Sequence, residues 1–212
     1  MLELASVLAG PAVGAFFAEL GASVWKVENP HTHGDMTRSW RVRTEPSRGG
    51  PFEQDRSAYF AAVNAGKQSL AIDMAQPAGR DLIFALAAKA DVVLTSFRPG
   101  PARELDAAAL LARNPRLIVG EISGYGAEQE RVAFDAIVQA ETGFTAMNGT
   151  SPETIHKMPV ALIDLLAGHQ LKQAILLALW HRDRTGHGER VHVSLFGAAL
   201  AALANQASNY LI

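Results

Sequence analysis

The stretch Pro159–Gly168, PVALIDLLAG, sets one carboxylate, Asp164, inside an apolar run at the point where a long helical pattern begins. An ionised carboxylate is rarely buried unless it is paired or hydrogen-bonded. Two chemistries fit. Asp164 can be a helix N-cap, accepting from the first backbone amides, with the helix dipole favouring the charged form. It can also be a carboxylate held in an apolar pocket to act as a nucleophile. Other polar clusters invite similar readings. GDMTRSWR (Gly34–Arg41) combines Arg and Trp on a loop and suits a phosphate or a base, or is simply solvated. SFRPG (Ser96–Gly100) closes a strand where a ligand can be met, and is also an ordinary turn. His31 and His33 have a metal-compatible spacing, but no carboxylate or third His is evidently paired with them, so they read as loop polarity and no metal is expected.

The elements that must position these groups alternate. Strand-like LELASV, SVWKVE, QSLAID, DVVLTS, RLIVGEIS and RVHVSLF are separated by helix-like PAVGAFFAELGA, PAGRDLIFALAAKA, a segment reaching about Arg113, and the run from Leu165 to about Arg184. Pro11 and Gly21 read as the start and stop of the first helix, and Gly186 as the cap of the long one. Leu82, Leu86 and Lys89, with Ile83 and Ala90, form an amphipathic stripe. The long helix carries apolar residues on nearly every face, which predicts that most of it is buried. Alternation of this kind predicts an α/β fold, a Rossmann-like parallel sheet with helices on both faces, binding its ligand at the carboxyl ends of the strands. The polar stretch Asn29–Ser57 is a loop of a length that points either to function or to disorder.

Composition narrows the function. The 212 residues are 49% hydrophobic with a net charge of −2, so a sizeable core is expected and neither nucleic acid nor an anionic membrane is an expected partner. With no cysteine there is no disulfide, cysteine-based zinc site or thiol nucleophile. The N-terminus lacks the basic region of a signal peptide, and a cytoplasmic location is expected. The glycine fingerprint of dinucleotide enzymes, the P-loop and the serine-hydrolase elbow are all missing, which removes support for those three classes.

Taken in order, the segments resemble the family III CoA-transferases, the group of formyl-CoA transferase and the carnitine CoA-transferases. The carrying pieces are VLAGP (Val7–Pro11), LGASVWKVENP (Leu20–Pro30), GDMTRSW (Gly34–Trp40), NAGKQSLAID (Asn64–Asp73), DVVLTSFRPG (Asp91–Gly100), ISGYG, FDAIVQAETG, and VALIDLLAG leading into the long helix. The resemblance spans the whole chain. It implies that Asp164 is the catalytic carboxylate, forming a mixed anhydride with the donor acyl group and then an aspartyl-CoA thioester. It also implies coenzyme A as substrate, lined by Val7, Ala9, Lys67, Phe97, Gly124 and Tyr125, with Arg38, Arg98 and Arg103 as phosphate partners. Three positions depart from the family pattern: Asn29, Ser96, and Glu104 where an Arg is usual. The racemase branch carries a His-Asp pair where this chain has Phe134-Asp135, so one base of a two-base proton transfer is missing. Family members are longer and form interlocked homodimers. The resemblance therefore implies that residues 1–212 are an N-terminal portion of the large domain, either active or a non-catalytic CoA-binding or dimerising piece.

Overall fold

The computed structural model describes residues 1–47, 56–97, 105–126, 128–151 and 153–212. Six strands form one parallel sheet: β1 (Leu2–Leu4), β2 (Trp25–Glu28), β3 (Gln68–Ala71), β4 (Val92–Thr95), β5 (Ile118–Ser123) and β6 (Arg190–Ser194). Their spatial order is β3-β2-β1-β4-β5-β6, the doubly wound arrangement. The order reverses between β1 and β4, which pair in parallel with Leu2 opposite Val93 and Leu4 opposite Thr95. At that switch the connections leave in opposite directions, and a crevice opens at the carboxyl ends of the strands.

The predicted alternation is present. Connecting helices are α1 (Ala9–Glu19), α2 (Ala58–Asn64), α3 (Pro77–Ala87) and α4 (Ala107–Arg113), followed by α5 (Asp135–Glu141), α6 (Phe144–Met147) and α7 (Leu162–Thr185), with α8 (Leu195–Ala202) and α9 (Ala204–Leu211) after the last strand. Strands β4 and β5 are apolar on both faces, as strands covered twice must be. Leu94 and Ile118 join Val13, Phe17, Leu171, Ile175 and Ala199 in one core, while Val93 and Val119 join Ile83, Leu110 and Leu117 in the other.

Three sequence expectations need correction. In α3 the buried stripe is Ile83 and Ala87, one residue round from the expected face, and Leu82 is exposed. The final strand ends at Ser194, whose hydroxyl caps α8 by accepting from the Gly197 amide, so Leu195 and Phe196 are helical. Only one stripe of α7 is fully buried: Ile163, Ala167, Gly168, Leu171, Ile175 and Ala178. This near i, i+4 row packs on β5 and α1. Leu176, Leu177 and Trp180 face outward. Twenty-four residues make α7 long and apolar enough to cross a membrane by those two measures, but its stripe is spent on the sheet. The helix comes so close to β5 that a Cβ on Gly120 would lie 2.9 Å from Ile175 Cδ1.

Strands β1 and β2 follow a different rule. Leu2, Leu4 and Val27 face the apolar core below, whereas Glu3 and Lys26, equally buried, carry charge. The Lys26 ammonium lies 3.0 Å from Glu3 Oε1 and 3.0 Å from Asp35 Oδ2, and donates to the Ala5 carbonyl at 2.7 Å. All three charged side chains are at most 2% exposed. Removing one partner from such a group strands the others without compensation. Lys26→Met is therefore expected to lower unfolding free energy by about 3–5 kcal/mol. Urea denaturation followed by circular dichroism reads this, and a loss well under 1 kcal/mol would contradict the role given to Lys26.

Candidate active site

The crevice at the switch is walled by the loop after β1 (Ser6–Gly10), the end of β4 (Ser96, Phe97), the end of β5 (Ser123, Gly124), residues 131–135, and Asp164 on α7. The loop after β1 is under strain. Val7 adopts φ 71, a left-handed conformation that a β-branched residue rarely takes. What holds it is Asp35, whose carboxylate accepts from the Val7 amide at 3.2 and 3.4 Å. Asp35 also accepts from Thr37 N and Oγ1, so one buried carboxylate fixes both the loop after β2 and the loop after β1. Lys26 neutralises it from below.

Asp164 lies in this crevice, but it does not cap its helix. α7 begins two residues earlier, with Ala161 at the N-cap position and no side-chain capping bond from it. The acceptor comes from another helix. Asp135 Oδ2 receives the Ile163 amide at 2.7 Å and the Asp164 amide at 3.2 Å. These are two of the otherwise unpaired donors of the helix start. The expectation that capping keeps Asp164 ionised is thereby overturned. Burial first, and then the nearby Asp135 charge, push the Asp164 carboxyl up to about 7. The same two amides are also no longer open to a developing oxyanion.

The remaining predicted residues divide. Val7, Ala9, Phe97 and Gly124 line the crevice with Asp164. Tyr125 stands at its margin, its hydroxyl donating to Glu141 Oε2 at 2.7 Å and its ring against Phe196 and Arg131. Lys67 is not in this lining. Its ammonium turns under α1, 2.7 Å from Glu3 Oε2, and donates to the Pro11 carbonyl and Asn64 Oδ1. Burial pulls it down to about 8, with Glu3 opposing. Arg38 is likewise engaged, forking onto both oxygens of Glu28 at 2.8 and 2.6 Å over the Phe60 ring. Glu28 is thereby held at about 2, its burial outweighed by Arg38, Ser69 and the Asp35 amide. Arg98, Arg103 and Glu104 lie outside the described residues. His31 does find a carboxylate, Asp73 Oδ2 at 3.1 Å, on an exposed surface.

Sequence reasoning missed several groups. Lys26 and Asp35 were visible only as part of matching segments. Asp135 drew notice through its neighbour Phe134 and not for its own contacts. Gln139, one helical turn after Asp135, was also unremarked, although an i, i+4 pair of polar residues in FDAIVQAE is a readable signal. Ser123 in the crevice lies 2.8 Å from His192 Nε2, with the Gly126 amide donating to its hydroxyl at 3.0 Å. Burial lowers the His192 imidazole below its usual range, so its neutral form dominates at pH 7.

A doubly wound parallel sheet with a crevice at its switch point defines the α/β class whose ligands are met at the carboxyl ends of the strands, and here an aspartate lines that crevice. The chain belongs to the CoA-transferase family III, whose family model matches residues 1–212. A succinate–glutarate CoA-transferase of Agrobacterium fabrum is 40% identical across all of this chain and 54% of its own length. An acetyl-CoA:oxalate CoA-transferase of Acetobacter aceti is 35% identical over 96% of this chain and 51% of its own. Among solved structures, a CAIB/BAIF family protein from Brucella suis superposes with a TM-score of 0.87 at 39% identity, covering 99% of this chain and 55% of that one. The chain thus spans about half the length of the curated relatives it matches.

A stability test follows from the Asp164 carboxyl. Its folded pKa, about 7, lies above the ~3.9 of an unfolded aspartate. The folded state therefore keeps a proton that the unfolded chain releases. This contribution is complete below about pH 4 and is lost as pH rises through 7. Asp164→Asn, neutral and of the same shape, is expected to match the parent near pH 4 and to exceed it at pH 8 by roughly 1–3 kcal/mol, after discounting for partial exposure. Denaturation midpoints between pH 5 and 8, where Glu28 is ionised in both states, provide the measurement. A gap that does not widen with pH would show that Asp164 is ionised throughout.

Proposed function

We propose that this chain carries the nucleophile and part of the CoA site of an acyl-CoA:carboxylate CoA-transferase. The observation that carries the reading is the position of Asp164: in the switch-point crevice, beside the Ser6–Gly10 loop, in a chain of this family. An Asp164 oxygen attacks the thioester carbonyl, the C–S bond breaks, and CoA leaves as the thiolate. The product is a mixed anhydride. The thiolate then attacks the aspartyl carbonyl and expels the donor carboxylate, leaving an aspartyl-CoA thioester. An acceptor carboxylate attacks this thioester and releases the thiolate, which takes the new acyl group and frees Asp164. No net proton is consumed. Phe97 and Leu195 line the crevice and Asp164 is only partly exposed, which supports the reading because a site poor in water protects the anhydride from hydrolysis.

The relatives reported above are named for succinate, glutarate and oxalate, which favours a small dicarboxylate over a carnitine-type substrate. A homodimer and a cytoplasmic location belong to the same proposal. A CoA-binding piece that turns over only with the rest of a longer protein is the second reading, favoured by the half-length match.

Incubation with succinyl-CoA and hydroxylamine is expected to leave a hydroxamate on the peptide containing Asp164, identified by mass spectrometry. Because only the ionised carboxyl attacks, trapping rises with pH and levels off above about 7. Label on Asp164→Ala protein at the parent's level would sink the mechanism. CoA binding without any label would select the second reading.

A further inference from the structure

Asp135 does more than its capping contacts require. It is the first residue of α5, and its Oδ2 holds the amides of Ile163 and Asp164. Its Oδ1 accepts from Gln139 Nε2 one turn along. Gln139 is fully buried and continues the link, its Oε1 accepting from the Met158 amide at 2.7 Å and its Nε2 donating to the Val160 carbonyl at 3.4 Å. Together these bonds tie α5 to the segment that leads into α7. A neutral amide oxygen could accept the same two amides. The charge is therefore surplus to the capping, yet it sits in the crevice beside a second carboxyl.

We propose that Asp135 is the positioning residue of this site: it fixes the backbone on which Asp164 stands and sets a like charge beside the Asp164 carboxyl. Its consequence for transfer rests on the reading of Asp164 as nucleophile; its electrostatic effect does not. Other charged groups bear on the pair. Arg131 lines the crevice but is paired with Glu141. From α2, the Tyr59 phenol is pushed up by burial and then by the charges of Asp164, Asp135 and Asp35, so it faces the same field. The crevice residues contributed by α1 and α8, Ala9, Gly10 and Leu195, carry no charge. Asp135 also occupies the amides through which the positive end of the α7 dipole would otherwise favour Asp164 ionisation. Like charge and occupied dipole act in the same direction.

The test is a direct titration of Asp164 in the full chain, with aspartates labelled with 13C at the side-chain carboxyl and the Asp164 resonance assigned by its loss in Asp164→Asn. In the parent, the midpoint is expected near neutrality, separated by more than one pH unit from an ordinary aspartate. Asp135→Asn keeps an acceptor for both amides and removes the charge, but its amide nitrogen replaces the oxygen that accepts from Gln139. It is expected to lower the Asp164 midpoint by about one pH unit or more, with a lower melting temperature from the lost Gln139 bond and a folded chain below it. Asp135→Glu, which keeps the charge, is expected to hold the midpoint near the parent's. A parent midpoint near 4 overturns the proposal without any variant. A midpoint unchanged in Asp135→Asn reduces Asp135 to a cap. None of these readings uses turnover, so failure of hydroxylamine trapping would leave this result standing and count only against the transferase reading.

Discussion

The buried Lys26 ammonium is the constraint on which the crevice depends. It joins β1, through Glu3 and the Ala5 carbonyl, to the loop after β2, through Asp35. Asp35 in turn holds Val7 in a backbone conformation that its side chain disfavours. Without the ammonium beneath it, the buried Asp35 carboxylate that accepts from the Val7 amide would lose its ion-pair partner at 3.0 Å. The loop from β1 into α1 therefore takes its shape from a charge pair rather than from a glycine. This is how a doubly wound sheet builds a ligand crevice here without the glycine-rich turn of the dinucleotide enzymes.

The same interaction explains why the sheet has two characters. Strands β4 and β5 are packed by aliphatic residues on both faces. Strands β1 and β2 are aliphatic on one face only; the other carries Glu3, Lys26 and Glu28, joined by Lys67, Asp35, Arg38 and Ser69. Gly14 on α1 belongs to this layer, since a Cβ there would lie 1.8 Å from Glu3 Oε2. A polar layer under α1 is costly to assemble and penalises alternative packings, because each member is buried against a specific opposite. Two cations that the sequence resemblance assigned to CoA, Lys67 and Arg38, are built into this layer.

These particulars mark how far the sequence was legible. Strand and helix alternation could be read because it reports one-dimensional periodicity, and Asp164 could be singled out because a carboxylate in an apolar run is locally anomalous. The burial of α7 was overestimated because composition does not say how many faces of a helix find a partner; Ile163 to Ala178 do, and Leu177 and Trp180 do not. The capping of Asp164 was misassigned for a related reason. Asp164 has the right residue type at nearly the right position, but a carboxylate 29 residues away reaches the amides first. Pairings across such distances, Lys26 with Asp35 or Ser123 with His192, leave no periodic trace.

The Asp135–Asp164 arrangement bears on how one carboxyl can serve as both attacking and departing group. A more basic carboxylate is the better nucleophile toward a thioester and the poorer leaving group from an anhydride. When the CoA thiolate meets the mixed anhydride of the proposed cycle, it must expel either Asp164 or the substrate carboxylate. Ordinary carboxylic acids ionise near 4, whereas Asp164 is raised to about 7. Expulsion of the substrate carboxylate is then favoured, and the thiolate is directed to the aspartyl carbonyl and the aspartyl-CoA thioester; the same preference opposes the last step, in which the thiolate must expel Asp164 from the acceptor anhydride. Once acylated, Asp164 carries no charge and the repulsion from Asp135 is relieved, which stabilises the covalent intermediates relative to the free enzyme. A like charge that looks unfavourable in the resting site therefore favours the intermediates through which transfer would have to pass.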